Sequence, residues 1–156
     1  MAANLHSVVK RVSTEGEVTD EALRRVAKEM VAESKEQRSP LDGFGHPQHN
    51  PDFRTPILLK LAKEEGVYSH HCALLTHLEN ELAEAVGRRI GANIDGASAA
   101  LLLDLGLKPE VARALIVTPR TVGLAAHYLE EIEQGNTWRH VPVDQITYTG
   151  PMPEDA

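Results

Sequence analysis

The chain has 156 residues, 42% of them hydrophobic and 25% charged, which is enough for one domain with a real core. Its formal net charge of -7 argues against nucleic acid as a partner, because phosphate contacts need a basic surface. No apolar run approaches the ~20 residues of a membrane span, the N-terminus lacks the layout of a secretory signal, and Cys72 as sole cysteine permits no intrachain disulfide; a cytoplasmic setting is expected.

Leu5, Val8, Val9 and Val12 recur at helical spacing and predict a short amphipathic helix from Asn4 to Val12. A polar loop follows. Thr19 is a candidate helix cap with Asp20 and Glu21 in the first turn, where carboxylates suit the dipole. Leu23, Val26, Ala27, Met30 and Val31 form one apolar stripe of a helix that should end near Arg38, before Ser39-Pro40. Thr55-Pro56 predicts the next helix start, cap then first-turn proline, with Ile57, Leu58, Leu61 and Ala62 inward and Gly66 at its end.

His70 to Val86 predicts a further helix, with Leu74, Leu75, Leu78, Leu82, Ala85 and Val86 inward and Gly87 as its stop. Asp95 should open a helix running through Leu105, stopped by Gly106. Lys108-Pro109 should open another, and Thr118-Pro119 the last long one, with Val122, Ala125, Ala126, Leu129 and Ile132 inward. From Asn136 onward the pattern is irregular. Strand patterns are nearly absent, so the class is all-α, about six or seven helices joined by short loops.

Gly43-Phe44-Gly45-His46-Pro47-Gln48-His49-Asn50-Pro51-Asp52-Phe53-Arg54 interrupts this scaffold. It is a loop by composition, yet it carries histidines, an arginine and an aspartate, and loops on a rigid scaffold are where chemistry usually sits. A neutral His46 after the Gly-Phe-Gly turn could donate to a developing oxyanion; its plain role is a histidine satisfied by local backbone. Asp95 is either the cap of its helix, a general base, or both. Arg54 and Arg120 lie at predicted helix starts, and arginine grips a carboxylate with parallel hydrogen bonds. Converging with a histidine and an aspartate, they would suit a small di-acid; otherwise they are surface charge. His70, His71, Cys72 and His77 share one helix but match no zinc-ligand spacing, and the leucines around them mark packing.

Three segments, G-F-G-H-P-x-H with a following arginine, then N-I-D-G-A at Asn93 to Ala97, then P-R-T-x-G-L-A-A-H at Pro119 to His127, resemble the citrate synthase superfamily. That group includes citrate and methylcitrate synthases, citryl-CoA lyases and the C-terminal module of ATP-citrate lyase. The resemblance runs from about Val18 to Tyr148. It implies a citrate-synthase-like small domain over residues 1–106, and over 107–156 a helical segment that returns to the large domain and makes dimer contacts.

The same resemblance gives His46 the role of binding and polarising the oxaloacetate carbonyl. It makes Asp95 the base that takes a methyl proton from acetyl-CoA, and Arg54 and Arg120 the partners of the oxaloacetate carboxylates. Arg139 resembles the arginine contributed across the dimer interface. Arg88 and Arg89 are candidates for the CoA phosphates, beside their plain reading as solvated charge. No tightly bound cofactor is implied, the coenzyme A thioester being a substrate. The implied reaction is condensation of acetyl-CoA with oxaloacetate, or the reverse citryl-CoA cleavage.

Departures from the family pattern accompany the match. Asp52-Phe53-Arg54 stands where the family has Asp-Pro-Arg, and the loop is about one residue short. The family's earlier histidine, set in a glycine-rich segment, has no counterpart: His6 lacks flanking glycines. The segment returning to the large domain should therefore expose apolar surface, and the chain should self-associate or pair with a subunit carrying the missing part. The alternative is a non-catalytic small-domain remnant, or a regulatory subunit that binds a family partner.

Overall fold

The computed structural model describes residues 1–49, 51–136 and 141–147. The described residues form six α-helices: α1 (Ala2–Glu15), α2 (Asp20–Glu36), α3 (Arg54–Glu64), α4 (His70–Val86), α5 (Ile94–Asp104) and α6 (Val111–Glu133). A short 3-10 turn at Val143–Gln145 follows. Among these residues the sole β pairing is an isolated antiparallel bridge between Phe44 and Ala92. The all-α class is observed. The chain divides into two compact units, Met1–Thr118 and Pro119–Ala156.

In the first unit α4 is the central element, packed against α1, α2 and α5. Leu74, Leu75 and Leu78 are at most 1% exposed and meet Leu5, Leu23 and Ala27 from the neighbouring helices. Burying each such leucine contributes roughly 1.5–3 kcal/mol, so this face of α4 is the main hydrophobic anchor of the unit. Ala85 and Val86, expected inward, are exposed, because they lie beyond the end of that packed face.

Helix ends follow local chemistry. Thr19 caps α2, its Oγ1 accepting from the Ala22 N–H at 3.2 Å. Gly87 stops α4 in the left-handed region at φ 72°. The start of α4 is capped from a distance. Asp104, the last residue of α5, accepts from the backbone N–H groups of Ser69 (2.8 Å), His71 (2.9 Å) and Cys72 (3.0 Å), and from His71 Nδ1 (2.8 Å). One carboxylate thus joins the end of α5 to the beginning of α4. His77 is engaged by Asp20 at 2.8 Å, and Cys72 is fully buried, burial pushing its thiol pKa up.

Further expectations change in the structure. Thr55 is not a cap: α3 begins one residue earlier, and Asp52 Oδ1 accepts the Arg54 N–H at 3.2 Å. The inner face of α3 is consequently Thr55, Leu58, Leu59 and Ala62, while Ile57 and Leu61 are 64% and 50% exposed. Thr118-Pro119 does not open a helix, since Pro119 lies inside the continuous α6. Proline removes one ladder hydrogen bond there, and the Thr118 hydroxyl donates to the Ala114 carbonyl (2.7 Å) in the same turn. Val122, Leu129 and Ile132, expected inward, are 77%, 58% and 53% exposed, so the apolar surface expected on this segment is present. Periodicity tells which residues share a helix face, not what covers it.

Burial alone would raise the Asp104 carboxyl, but the hydrogen bonds from His71 and the α4 amides outweigh it and hold the pKa at about 2, below 3.8. A depressed carboxyl stabilises the fold above its unfolded pKa and loses that contribution as pH falls through the folded one. Asp104→Ala should therefore destabilise the chain by on the order of 2 kcal/mol at pH 7. Urea unfolding should show the gap from wild type shrinking between about pH 4 and pH 2.

Candidate functional site

Two loops that are distant in sequence are zipped together in the first unit. The Gly45 N–H donates to the Gly91 carbonyl and the Asn93 N–H to the Gly43 carbonyl, both at 2.9 Å, flanking the Phe44–Ala92 bridge. Asn93 completes the junction from both ends of its side chain. Its Nδ2 donates to the Gly45 carbonyl (2.7 Å), and its Oδ1 accepts the Gly96 N–H (3.0 Å) as the cap of α5.

The glycines here are steric requirements. A Cβ on Gly96 would lie 2.5 Å from the Gly43 carbonyl oxygen, and one on Gly43 would lie 2.9 Å from the Gly96 Cα. Gly43 also sits at φ +87°, a region that L side chains rarely adopt. The first turn of α5 and the turn before His46 therefore touch backbone to backbone.

That contact sets the candidate residues. His46 Nδ1 accepts the backbone N–H groups of Gln48 (3.1 Å) and His49 (3.0 Å). A ring nitrogen that accepts carries no proton, so the proton is on Nε2, which is left as the donor. His49 stacks on His46 at 4.5 Å and meets the edge of Phe53 at 5.4 Å, bracing the imidazole from one side. The plain reading of His46, a histidine satisfied by local backbone, is observed, and it leaves Nε2 as the donor of the neutral ring.

Asp95 is not the cap expected of it; Asn93 fills that position, because it is the extended residue immediately before Ile94. Asp95 lies one residue into the helix with its side chain exposed. Asp52 was part of the motif loop but had no assigned role, and it is the main addition made by the structure. Its side chain is 1% exposed. It accepts from Arg54 Nε (2.8 Å), Arg54 Nη2 (2.9 Å), the Arg54 N–H (3.2 Å) and the Ile94 N–H at the head of α5 (2.9 Å). The Arg54 guanidinium holds the Asp52 carboxyl well below the usual carboxylate range, against burial and with help from the two amides. The Asp52 hydrogen bond, with smaller contributions from the charges of Asp52 and Asp95, pushes the Arg54 pKa up. The signal for Asp52 in the sequence was its spacing, two residues before Arg54.

Arg89 donates to Glu79 Oε1 (2.9 and 2.7 Å), and Glu79 Oε2 accepts the Ala92 N–H at 3.1 Å, so this pair staples the second loop to α4. Arg88 is exposed. Arg120 lies in α6 within the second unit. Arg139 falls outside the described residues. No group of three or more His, Cys, Asp or Glu side chains among the described residues could hold a metal ion.

The all-α scaffold thus carries the His46 and Arg54 loop, closed by glycines, against the Asn93-capped helix that holds Asp95. Residues 5–141 match the family described as "Citrate synthase, C-terminal domain", and the chain belongs to that family. It is 31% identical over 149 residues to a probable ATP-citrate synthase of Caenorhabditis elegans, covering 82% of this chain and 13% of that protein. To the peroxisomal citrate synthase of Dictyostelium discoideum it is 28% identical over 116 residues, covering 70% of this chain and 24% of that one. Among solved structures, the citryl-CoA lyase of Hydrogenobacter thermophilus superposes with a TM-score of 0.69 and 25% identity, over 96% of this chain and 56% of the lyase. The citrate synthase of Thermotoga maritima shares the fold (TM-score 0.66, 22% identity, 97% of this chain and 39% of that chain). The chain thus spans only part of each of these relatives.

Gly96→Ala should separate the two loops, because a methyl group cannot share space with the Gly43 carbonyl oxygen. The expected cost is on the order of 2–4 kcal/mol in urea unfolding, with the Asn93 and Gly45 amides losing exchange protection before those of α4.

Proposed function

We propose that the chain supplies the keto-acid and base half of a citrate synthase-type active site, acting on oxaloacetate and acetyl-CoA or, in reverse, on citryl-CoA. The observation that supports this is the set of contacts of His46: two backbone N–H groups occupy Nδ1 and leave Nε2–H as the donor, one residue after Gly45, whose carbonyl accepts from Asn93 at the cap of the Asp95 helix. In the forward direction Asp95 takes a methyl proton from acetyl-CoA. The enol carbon attacks the keto carbon of oxaloacetate, and His46 Nε2–H supports the oxygen that becomes the hydroxyl, giving citryl-CoA. Hydrolysis of the thioester by water releases citrate and CoA in a synthase; a lyase runs the carbon–carbon cleavage back. By the family resemblance Arg54 would receive one carboxylate of oxaloacetate, and Arg120 and Arg139 would serve the other.

One groove would suit the chemistry of the thioester. A groove of about 480 Å³ is lined by Val31, Leu41, Phe44, Leu82, Val86 and Ile90, with Lys35 and Arg38 at its edge. Apolar walls suit a pantetheine arm or an adenine, cations suit phosphates, and Phe44 carries the groove to within two residues of His46. This groove favours Lys35 and Arg38 for the phosphates, with Arg88 as a further contact. Arg89 is less suited while Glu79 holds it.

The family's glycine-flanked histidine has no match in this sequence, and a partner would supply the group that holds the enol oxygen. The exposed apolar residues of α6, Val122, Leu124, Leu129 and Ile132, support a second copy or a subunit carrying the large domain as that partner. The same surface would also serve a non-catalytic subunit that only docks to a family member, which is the second reading.

Turnover of acetyl-CoA and oxaloacetate, followed as free thiol release, separates the two. Under the catalytic reading Asp95→Ala should lower turnover by about 10³-fold or more and His46→Ala by about 10²–10³-fold, with folding unchanged. No thiol release from acetyl-CoA and oxaloacetate and no cleavage of citryl-CoA, by the wild-type chain alone or with a large-domain partner, would favour the docking subunit. Lys35→Ala and Arg38→Ala should raise the KM for the thioester about tenfold while leaving that for oxaloacetate unchanged.

A further inference from the structure

Asp52 has no part in the chemistry above, yet four donors converge on its carboxylate at 2.8 to 3.2 Å. Two consequences follow from the geometry. Arg54 gives Asp52 its Nε–H and one Nη2–H, the whole of one hydrogen-bonding edge of the guanidinium. What remains for a ligand is the opposite edge, the Nη1 and Nη2 tips. The second carboxylate oxygen also accepts the Ile94 N–H, so the guanidinium and the first turn of α5, which carries Asp95, are referenced to one buried anion.

We propose that Asp52 is a positioning residue that sets substrate choice: it turns Arg54 so that only its tip edge meets the ligand, and it keeps that edge in register with Asp95. The substrate class selected is a small keto di-acid that presents one carboxylate end-on to Arg54 while its keto oxygen reaches His46. A lysine at position 54 could not serve, because the arrangement needs a rigid planar cation with two usable edges. Asparagine at position 52 would keep one acceptor oxygen, enough for the Arg54 Nε–H or for the Ile94 N–H but not for both, and would lose the charge that faces the guanidinium. The proposal rests on the keto-acid reading of His46 and Arg54, and its test separates the two.

The experiment is ¹⁵N NMR on the full chain, following the Arg54 Nε–H and titrating oxaloacetate into wild type and Asp52→Asn. In wild type the Arg54 Nε–H should exchange at least about tenfold more slowly than that of exposed Arg88. Asp52→Asn should abolish that difference and weaken oxaloacetate binding by about tenfold or more, with the amide signals of α4 unchanged. An Arg54 Nε–H as labile as that of Arg88 in wild type would overturn the proposal without recourse to any variant. So would an Asp52→Asn chain in which Arg54 is released but oxaloacetate binds as before. Protection that depends on Asp52, in a wild-type chain that does not bind oxaloacetate, would remove the keto-acid reading and leave the positioning of Arg54 supported.

Discussion

Gly43 and Gly96 meet backbone to backbone, and the rest of the site depends on that contact. With Gly96 Cα pressed against the Gly43 backbone, the Asn93 side chain reaches both the Gly45 carbonyl and the Gly96 amide. Any side chain at either position would hold α5 away from the turn that precedes His46. The short bridge between Phe44 and Ala92 could not then form, and α5 would lose the loop to which its cap is tied. A glycine pair is an unstable junction taken alone, because glycine loses the most chain entropy on ordering. Here the loss is offset by two backbone hydrogen bonds, a two-ended asparagine and a buried aspartate.

Two buried carboxylates organise the first unit by the same device. Asp104 reaches from the end of α5 to the unpaired N–H groups of α4, and Asp52 reaches from the motif loop to the N–H of Ile94 at the start of α5. Both exploit the orphan donors that every helix start leaves exposed. Both also recruit a cationic or polar ring partner, Arg54 or His71, so neither carboxylate is buried without compensation. The outcome is that α4, which anchors the core, and α5, which carries Asp95, are held at their ends by hydrogen bonds as well as along their sides by leucines and alanines.

Much of this was legible in the residues. Periodicity and capping chemistry located α2 and α4 closely, and the glycine-rich loop and the Asn-Ile-Asp-Gly segment pointed to the residues that meet. The misplacements share a cause. Thr55 has the composition of a cap, but Asp52 outcompetes it because a carboxylate folded back from the preceding loop meets the Arg54 amide and its guanidinium together. Asp95 has the composition of a cap as well, but Asn93 is the residue with extended backbone before the helix. Local rules name the residue types able to cap; tertiary contact decides which of them does.

The sequence by itself determined the all-α class, the order of the first five helices, most of the buried apolar residues of α2 and α4 and the motifs of the citrate synthase family, because these rest on period, propensity and short spacings. Tertiary structure alone decided that Asp52 shares its charge between Arg54 and α5, that His46 carries its proton on Nε2, and that Arg89 is spent on Glu79. It also decided that α6 runs through Pro119 and leaves its apolar residues exposed. The bond from the Ile94 N–H to Asp52 joins groups far apart in the chain, while the His46 and Arg54 contacts are near in sequence but need the folded loop to bring donor and acceptor together. Such meetings are set by packing and by the need to satisfy buried donors, quantities that no local pattern contains.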